Sequence, residues 1–168
     1  MVDHSEAVRM VGDIHAGYAR RVSTHWGVTV APDDVAVGLF GYGSWSQEHR
    51  RAEIGYCLHR DYWGQGFALE ALMPLIAYGF REMGLHRIHA CTWVENVASV
   101  RLLEKCGFRR EGVLRDEYFF EGCFHDEAHY AMLDREFESA AGKTSLCRGF
   151  SRGRPHPSPP PMGEGAFV

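Results

Sequence analysis

No stretch of this chain is apolar for long enough to cross a bilayer, and no basic start followed by an apolar segment marks a secretory leader, so membrane insertion and export are not expected. An excess of basic charge is missing as well. Lys and Arg number 18 against 22 Asp and Glu, a formal net charge of −4, and the signs are interspersed, which leaves no field to gather nucleic acid. The five cysteines, Cys57, Cys91, Cys106, Cys123 and Cys147, are odd in number and never spaced Cys-x-x-Cys. That pattern disfavours both a disulfide framework and a zinc knuckle, and the thiols read as the reduced residues of a cytoplasmic protein. The ten histidines include no His-x-x-x-His pair on a predicted helix, and His125-Asp126 falls in a strand, where a hydrogen bond is expected rather than an ion. No metal is expected.

What is present suffices for one substantial core: 168 residues, 45% of them hydrophobic, are most economically a single domain. Asp3 to Arg21 reads as an amphipathic helix, with Ala7, Val11, Ile14 and Tyr18 on its packing stripe and Asp3-x-x-Glu6 at its start. Trp26 to Val30 and Val35 to Tyr42 read as strands joined through the turn residues Ala31-Pro32-Asp33-Asp34, hence a hairpin. After the polar interval Ser44 to Arg51 comes a third strand, Ala52 to Leu58, in which Gly55 marks a bulge or a close backbone approach. Leu69, Leu72, Ile76, Phe80 and Met83 then recur at helical steps, with Gly84 as the stop. Pro74 inside this helix removes one hydrogen bond and should bend it near Glu70, at a cost of about 3 kcal/mol unless packing compensates.

The strand Leu85 to Trp93 turns Ile88, Ala90 and Thr92 one way and Arg87, His89, Cys91 and Trp93 the other. Strand, helix and strand in succession imply a parallel crossover. A short helix from Val97 to Lys105 stops at Gly107, and the strands Leu114 to Phe120 and Cys123 to Leu133 flank Glu121-Gly122, a two-residue hairpin turn. The folded domain is expected to span residues 1–137. The Pro-, Gly- and Arg-rich segment 138–168 has little to bury and reads as a disordered tail.

One stretch stands out chemically. In Tyr62-Trp63-Gly64-Gln65-Gly66-Phe67-Ala68, two glycines one residue apart join the third strand to a helix. Such a loop aims backbone N–H groups and the positive end of the helix dipole at one point, which suits a phosphate or another anion. The alternative is an ordinary strand-to-helix turn.

Three segments together carry a resemblance: Ala52-Glu53-Ile54-Gly55-Tyr56, the loop Tyr62 to Ala68, and Asn96-x-x-Ser99-x-x-Leu102-x-x-Lys105-x-Gly107-Phe108. In this order and separation the chain resembles the Gcn5-related N-acetyltransferases (GNAT), and among them the branch of ribosomal-protein alanine N-acetyltransferases, over roughly Ser5 to Phe137. The resemblance implies an α/β (α+β) fold with a mixed, mostly antiparallel sheet whose central parallel pair splays in a V, flanked by helices. The family's first strand and helix are expected to be absent, which would leave a sheet edge open and make a homodimer a reasonable expectation.

Acetyl coenzyme A is the cosubstrate the resemblance implies, its pyrophosphate held by the backbone N–H groups of Gln65, Gly66, Phe67 and Ala68. Trp63 stands where the family usually has Gln or Arg. The pantetheine arm would lie along Ile54 to Leu58, where Cys57 and Leu58 offer backbone groups, and would meet Asn96, a residue that reads equally well as a helix N-cap. The acceptor is an amine: a primary amine such as a protein N-terminus, or a small amine such as a polyamine, amino acid or aminoglycoside. A non-catalytic acyl coenzyme A binding module is the remaining alternative. Glu53 is the candidate general base, or else a surface carboxylate paired with Arg50 or Arg51. A backbone N–H near Cys57 would steady the oxyanion. Because Leu103 occupies the place of a Tyr common in the family, the proton for the departing thiolate falls to Ser99 first and Tyr118 second, each also readable as a structural hydroxyl. Tyr42, Trp45 and Tyr118 read as pocket walls or as core. Direct transfer from thioester to amine asks no covalent work of the cysteines.

Overall fold

Alternation along β4 (Arg87–Trp93) sets the plan: Ile88, Ala90 and Thr92 are buried while their neighbours are half-buried, so this strand lies inside a sheet with one face packed under helices. The computed structural model describes residues 4–32 and 35–141. Before β4 come α1 (His4–Ala19), β1 (Thr24–Thr29), β2 (Ala36–Ser46), β3 (Arg51–Leu58), a single 3₁₀ turn (Arg60–Tyr62) and α2 (Phe67–Arg81). After it come α3 (Val97–Cys106), β5 (Arg109–Phe120), β6 (Cys123–Leu133) and α4 (Asp134–Ala141). One six-stranded sheet runs in the order β1-β2-β3-β4-β6-β5. All pairs are antiparallel except β3 with β4, the crossover pair that carries α2 between its strands.

A single core joins the elements. Phe40 and Tyr42 of β2, Ile54 of β3, Leu72 and Ile76 of α2, Ile88 and Ala90 of β4, Leu103 of α3 and Tyr130 of β6 are all buried in one cluster. Tyr42 is fully buried, and its hydroxyl donates to the Leu75 carbonyl of α2 at 2.8 Å. Gly79, one turn on, makes room for that ring, since a Cβ there would collide with the phenol. Tyr42 is therefore core and not the wall of an acceptor pocket. Pro74 sits within α2 as expected, and both it and Glu70 face solvent.

Several boundaries differ from the sequence reading for identifiable reasons. β2 and β3 run into the polar interval, because Ser46 pairs with Arg51 and leaves only residues 47–50 to turn. β5 begins at Arg109 and not Leu114. Its polar opening Arg109-Arg110-Glu111 hides a strand that is held by pairing with Ala131 and Tyr130 and by two hydrogen bonds from Arg87 to Glu111. The α1 stripe is also a correction: Val11 and Tyr18 are 43% and 45% exposed, and among the described side-chain positions of α1 Gly17 is the buried one. Ala7 falls outside the described side chains. Residues 138–141 belong to α4 rather than to a tail, and the rest of the expected tail lies outside the described residues. At Glu121-Gly122 both residues take positive φ, 50° and 84°, as a tight two-residue hairpin requires.

Candidate active site

Parallel pairing of β3 with β4 lasts for three residues only: Arg51 with Arg87, Ala52 with Ile88 and Glu53 with His89. Past that point β3 stays with β2 through Leu58 and β4 stays with β6 through Trp93, so the two strands part and a slot opens between them. Gly55 stands on the slot's wall, with open space where a Cβ would project. It carries no bulge; that lies instead between Gly43 and Ser46.

The slot leads to the loop before α2. Gly66 is the N-cap at φ +91°, a conformation that side chains resist, and no side chain caps the first turn. Gln65, Gly66, Phe67 and Ala68 thus stand at an uncapped helix N-terminus. The loop is anchored from outside: the Trp63 indole donates to the Leu58 carbonyl at 2.7 Å, and the Gln65 amide donates to the Asp61 carbonyl at 2.6 Å. Trp63 thereby acquires a role that the sequence left open, tying the loop to the end of β3. The same bond occupies the carbonyl of Leu58, so that residue can offer the slot its N–H and not a free oxygen.

On the helix side, Ser99 hydrogen-bonds the Tyr56 phenol at 2.8 Å, a contact that ties β3 to the first turn of α3. Asn96 is the N-cap of α3, its side-chain oxygen accepting from the Ser99 N–H at 3.2 Å. Burial holds the Tyr56 phenol above its ordinary value, against the opposing pull of the Ser99 hydroxyl, so it keeps its proton. The sequence reading did not single out the Tyr56 side chain. It lay within the motif Ala52 to Tyr56, but nothing in the sequence placed it against Ser99.

On the opposite face, Glu53 is half-buried and accepts from the Ser44 hydroxyl at 3.4 Å. Arg50 does not pair with it and donates to the Gly84 carbonyl instead. Tyr118 lies on this face too, 47% exposed and opposite His125. The negative charge of Glu127 is the largest influence raising its pKa, with Glu53 among the lesser ones. Beside Glu53, across the strands, stand His89, Cys91, Glu127 and His129. Burial first, then the charges of Glu127 and Glu53, push the Cys91 thiol up to about 12, which removes it as a nucleophile. Trp45 is elsewhere: with Tyr18, Tyr78 and Leu85 it lines a cavity of about 620 Å³ at the far end of β3 from the glycine loop.

Comparison with known proteins places this geometry in context. A family model described as an acetyltransferase (GNAT) domain matches residues 2–109. The uncharacterized N-acetyltransferase YoaA of Bacillus subtilis (strain 168) is 37% identical over 128 residues, 76% of this chain and 72% of that protein. The putative ribosomal N-acetyltransferase YdaF of the same organism is 36% identical over 106 residues, 63% of this chain and 58% of that protein. Among solved structures, spermidine N-acetyltransferase from Vibrio cholerae in complex with CoA and spermine is similar with a TM-score of 0.73 at 26% identity, covering 81% of this chain and 78% of that one. No described helix is long and apolar enough to cross a membrane.

Proposed function

Since the chain belongs to the acetyltransferase (GNAT) family and is an N-acetyltransferase, we propose that it holds acetyl coenzyme A in the slot between β3 and β4 and passes the acetyl group directly to a primary amine. The observation that carries this reading is the parting of β3 from β4 after Glu53 and His89, next to an uncapped helix N-terminus at Gly66. A pyrophosphate would lie against the N–H groups of Gln65 to Ala68, where the helix dipole favours negative charge. The pantetheine arm would pair with backbone left free along Ile54 to Cys57, and Asn96 would serve mainly to cap α3.

Glu53 takes a proton from the incoming ammonium, directly or through water. The neutral nitrogen attacks the thioester carbonyl carbon, and the oxyanion is met by a backbone N–H near Cys57. Collapse breaks the carbon–sulfur bond, the thiolate takes a proton from the Tyr56–Ser99 pair, and the second proton of the attacking nitrogen passes through water to restore that pair, leaving a neutral amide. Ser99, in the first turn of α3, is the donor and Tyr56 its reservoir. Tyr118, on the same sheet face as Glu53 but across β4 and β6 from it, is assigned to the acceptor's side rather than to the departing thiol.

Two acceptor classes are carried forward. A protein N-terminal amine follows from the likeness to ribosomal-protein acetyltransferases. A polyamine is favoured by a specific observation, the two carboxylates Glu53 and Glu127 on the face where the amine arrives, both acting on Tyr118. Calorimetry with acetyl coenzyme A, followed by thiol release over a panel of polyamines and N-terminal peptides, tests the reading. Saturable coenzyme binding and turnover with one class are expected. Binding of coenzyme with no thiol release from any amine would overturn it.

A further inference from the structure

Three metal-ligating side chains meet on the sheet face turned away from α2 and α3. Cys91 on β4 and His129 on β6 are cross-strand partners, and Glu127 stands two residues before His129 on the same side of β6. Their donor atoms all lie within 4.8 Å of one another. His129 Nε2 is 2.9 Å from Glu127 Oε2 and 4.0 Å from Cys91 Sγ. Around a tetrahedral zinc, bonds of about 2.3 Å to sulfur and about 2.0 Å to nitrogen or oxygen set sulfur and nitrogen about 3.5 Å apart and nitrogen and oxygen about 3.3 Å apart. The two measured separations are each within about half an ångström of these values, and the sulfur–carboxylate separation, at most 4.8 Å, needs side-chain shifts of about 1 Å or less to seat an ion.

The surroundings favour a cation. Glu127 is only 8% exposed, and Glu53 adds a second carboxylate whose charge reaches Cys91. Arg87, on the same face of β4, is already engaged by both carboxylate oxygens of Glu111. A carboxylate this buried, with an imidazole and a thiol as its neighbours, is a costly arrangement that a divalent ion would relieve.

We propose that Cys91, Glu127 and His129 form a binding site for a divalent cation of the zinc class, with a fourth position open to water. Thiolate and imidazole donors select zinc and similar ions over magnesium or calcium, and three protein ligands with an open position describe an exchangeable site rather than a closed structural one. Binding forms a metal–sulfur bond and releases the thiol proton to the buffer, while the carboxylate and imidazole contribute lone pairs. Sequence spacing concealed the site because its ligands come from two strands distant in the chain. An ion there would place positive charge on the face that carries Glu53, so it should oppose the arrival of an ammonium. That consequence rests on the role given to Glu53 above; the binding itself does not.

Titrating the metal-free full chain with Co²⁺ while recording thiolate-to-cobalt charge-transfer absorption tests the site. One equivalent should saturate the band, Zn²⁺ should displace it, and Cys91→Ser and His129→Asn should each abolish it while Cys57→Ser and Cys123→Ser leave it intact. No band in the native chain, or a band that survives Cys91→Ser, would overturn the assignment. Proton release gives a second reading that needs no variant: Zn²⁺ added to the unaltered, weakly buffered protein should release about one proton per ion bound as the Cys91 thiol ionises, and no proton release counts against the site. If the band appears as expected but Zn²⁺ leaves acetyl transfer untouched, the site is supported and the placement of the amine beside Glu53 is what fails.

Discussion

Glu53 and Tyr56, three residues apart on β3, project to opposite faces of the strand just where it leaves β4. One can serve the amine's proton and the other the thiol's, without either crossing the slot. Glu53→Gln keeps the size of the side chain but removes the base, and thiol-release rates should fall about 10²- to 10⁴-fold. The loss should be greatest at low pH, where more of the amine arrives protonated; a wild-type to variant ratio that stays flat across pH would remove Glu53 as base. For Tyr56 the sign runs the other way. Its pKa is raised by burial from an ordinary 10.0, so the phenol remains a proton donor throughout the neutral range and its loss of activity by ionisation begins only above pH 10. Tyr56→Phe retains the stack on Phe40 at 5.9 Å and should lower kcat by about 10²-fold, with a stability loss of about 1 kcal/mol for the broken bond to Ser99. An unchanged kcat would reduce the pair to a tie between β3 and α3.

At the level of elements, the loop before α2 is where conformation and binding are most directly coupled. Gly66 holds φ +91° with nothing near its absent Cβ, so Gly66→Val meets no neighbour yet must strain the backbone, at about 1–3 kcal/mol. In the proposed site it also raises a branched side chain where a pyrophosphate would rest. Coenzyme affinity by calorimetry should therefore drop at least tenfold, while thermal unfolding remains cooperative. Unaltered affinity would return the loop to an ordinary turn. This part of the site was legible in the sequence because its signal is local: two glycines, a helical period beginning at once, and an extended run before them. The crossover was legible for the same reason, since β4 alternates cleanly from Arg87 to Trp93. What escaped was whatever depends on neighbours distant in the chain. The opening of β5 was hidden because Arg109, Arg110 and Glu111 carry no apolar alternation and take their strand conformation from β6 and Arg87. The Tyr56–Ser99 contact and the Cys91, Glu127 and His129 group were hidden likewise, as each joins residues from two elements that only the sheet order brings together. The stripe predicted for α1 failed in the opposite sense: its period is helical, but Val11 and Tyr18 find little of the described chain to cover them.

For the whole molecule, the sheet order leaves β1 and β5 as its two edges, and the β5–β6 hairpin adds a cluster of uncovered aromatics. Phe119 and Phe124 are 66% and 62% exposed and pack against each other as tilted rings with centroids 5.0 Å apart, while Phe120 beside them is 49% exposed. Scattered exposed apolar residues are ordinary, but a contiguous aromatic patch at the end of an edge strand offers both surface and unpaired backbone to another chain. The expectation of a homodimer thus has a definite place to be tested. Replacing Phe119 and Phe124 together with Glu puts like charges on the patch and removes the ring contact. Both side chains stand in solvent, so the unfolding free energy should change by no more than about 0.5 kcal/mol for each. Self-association should change far more: sedimentation velocity of the wild type is expected to show a concentration-dependent dimer, and the double variant a monomer at the same loading. Because Glu53, Tyr56 and Gly66 lie at the slot and not on this hairpin, the variant should bind acetyl coenzyme A as the wild type does. Loss of coenzyme binding together with the dimer would mean that the slot takes its shape from the partner, and a wild type that sediments as a monomer at all concentrations would eliminate the hairpin as an interface.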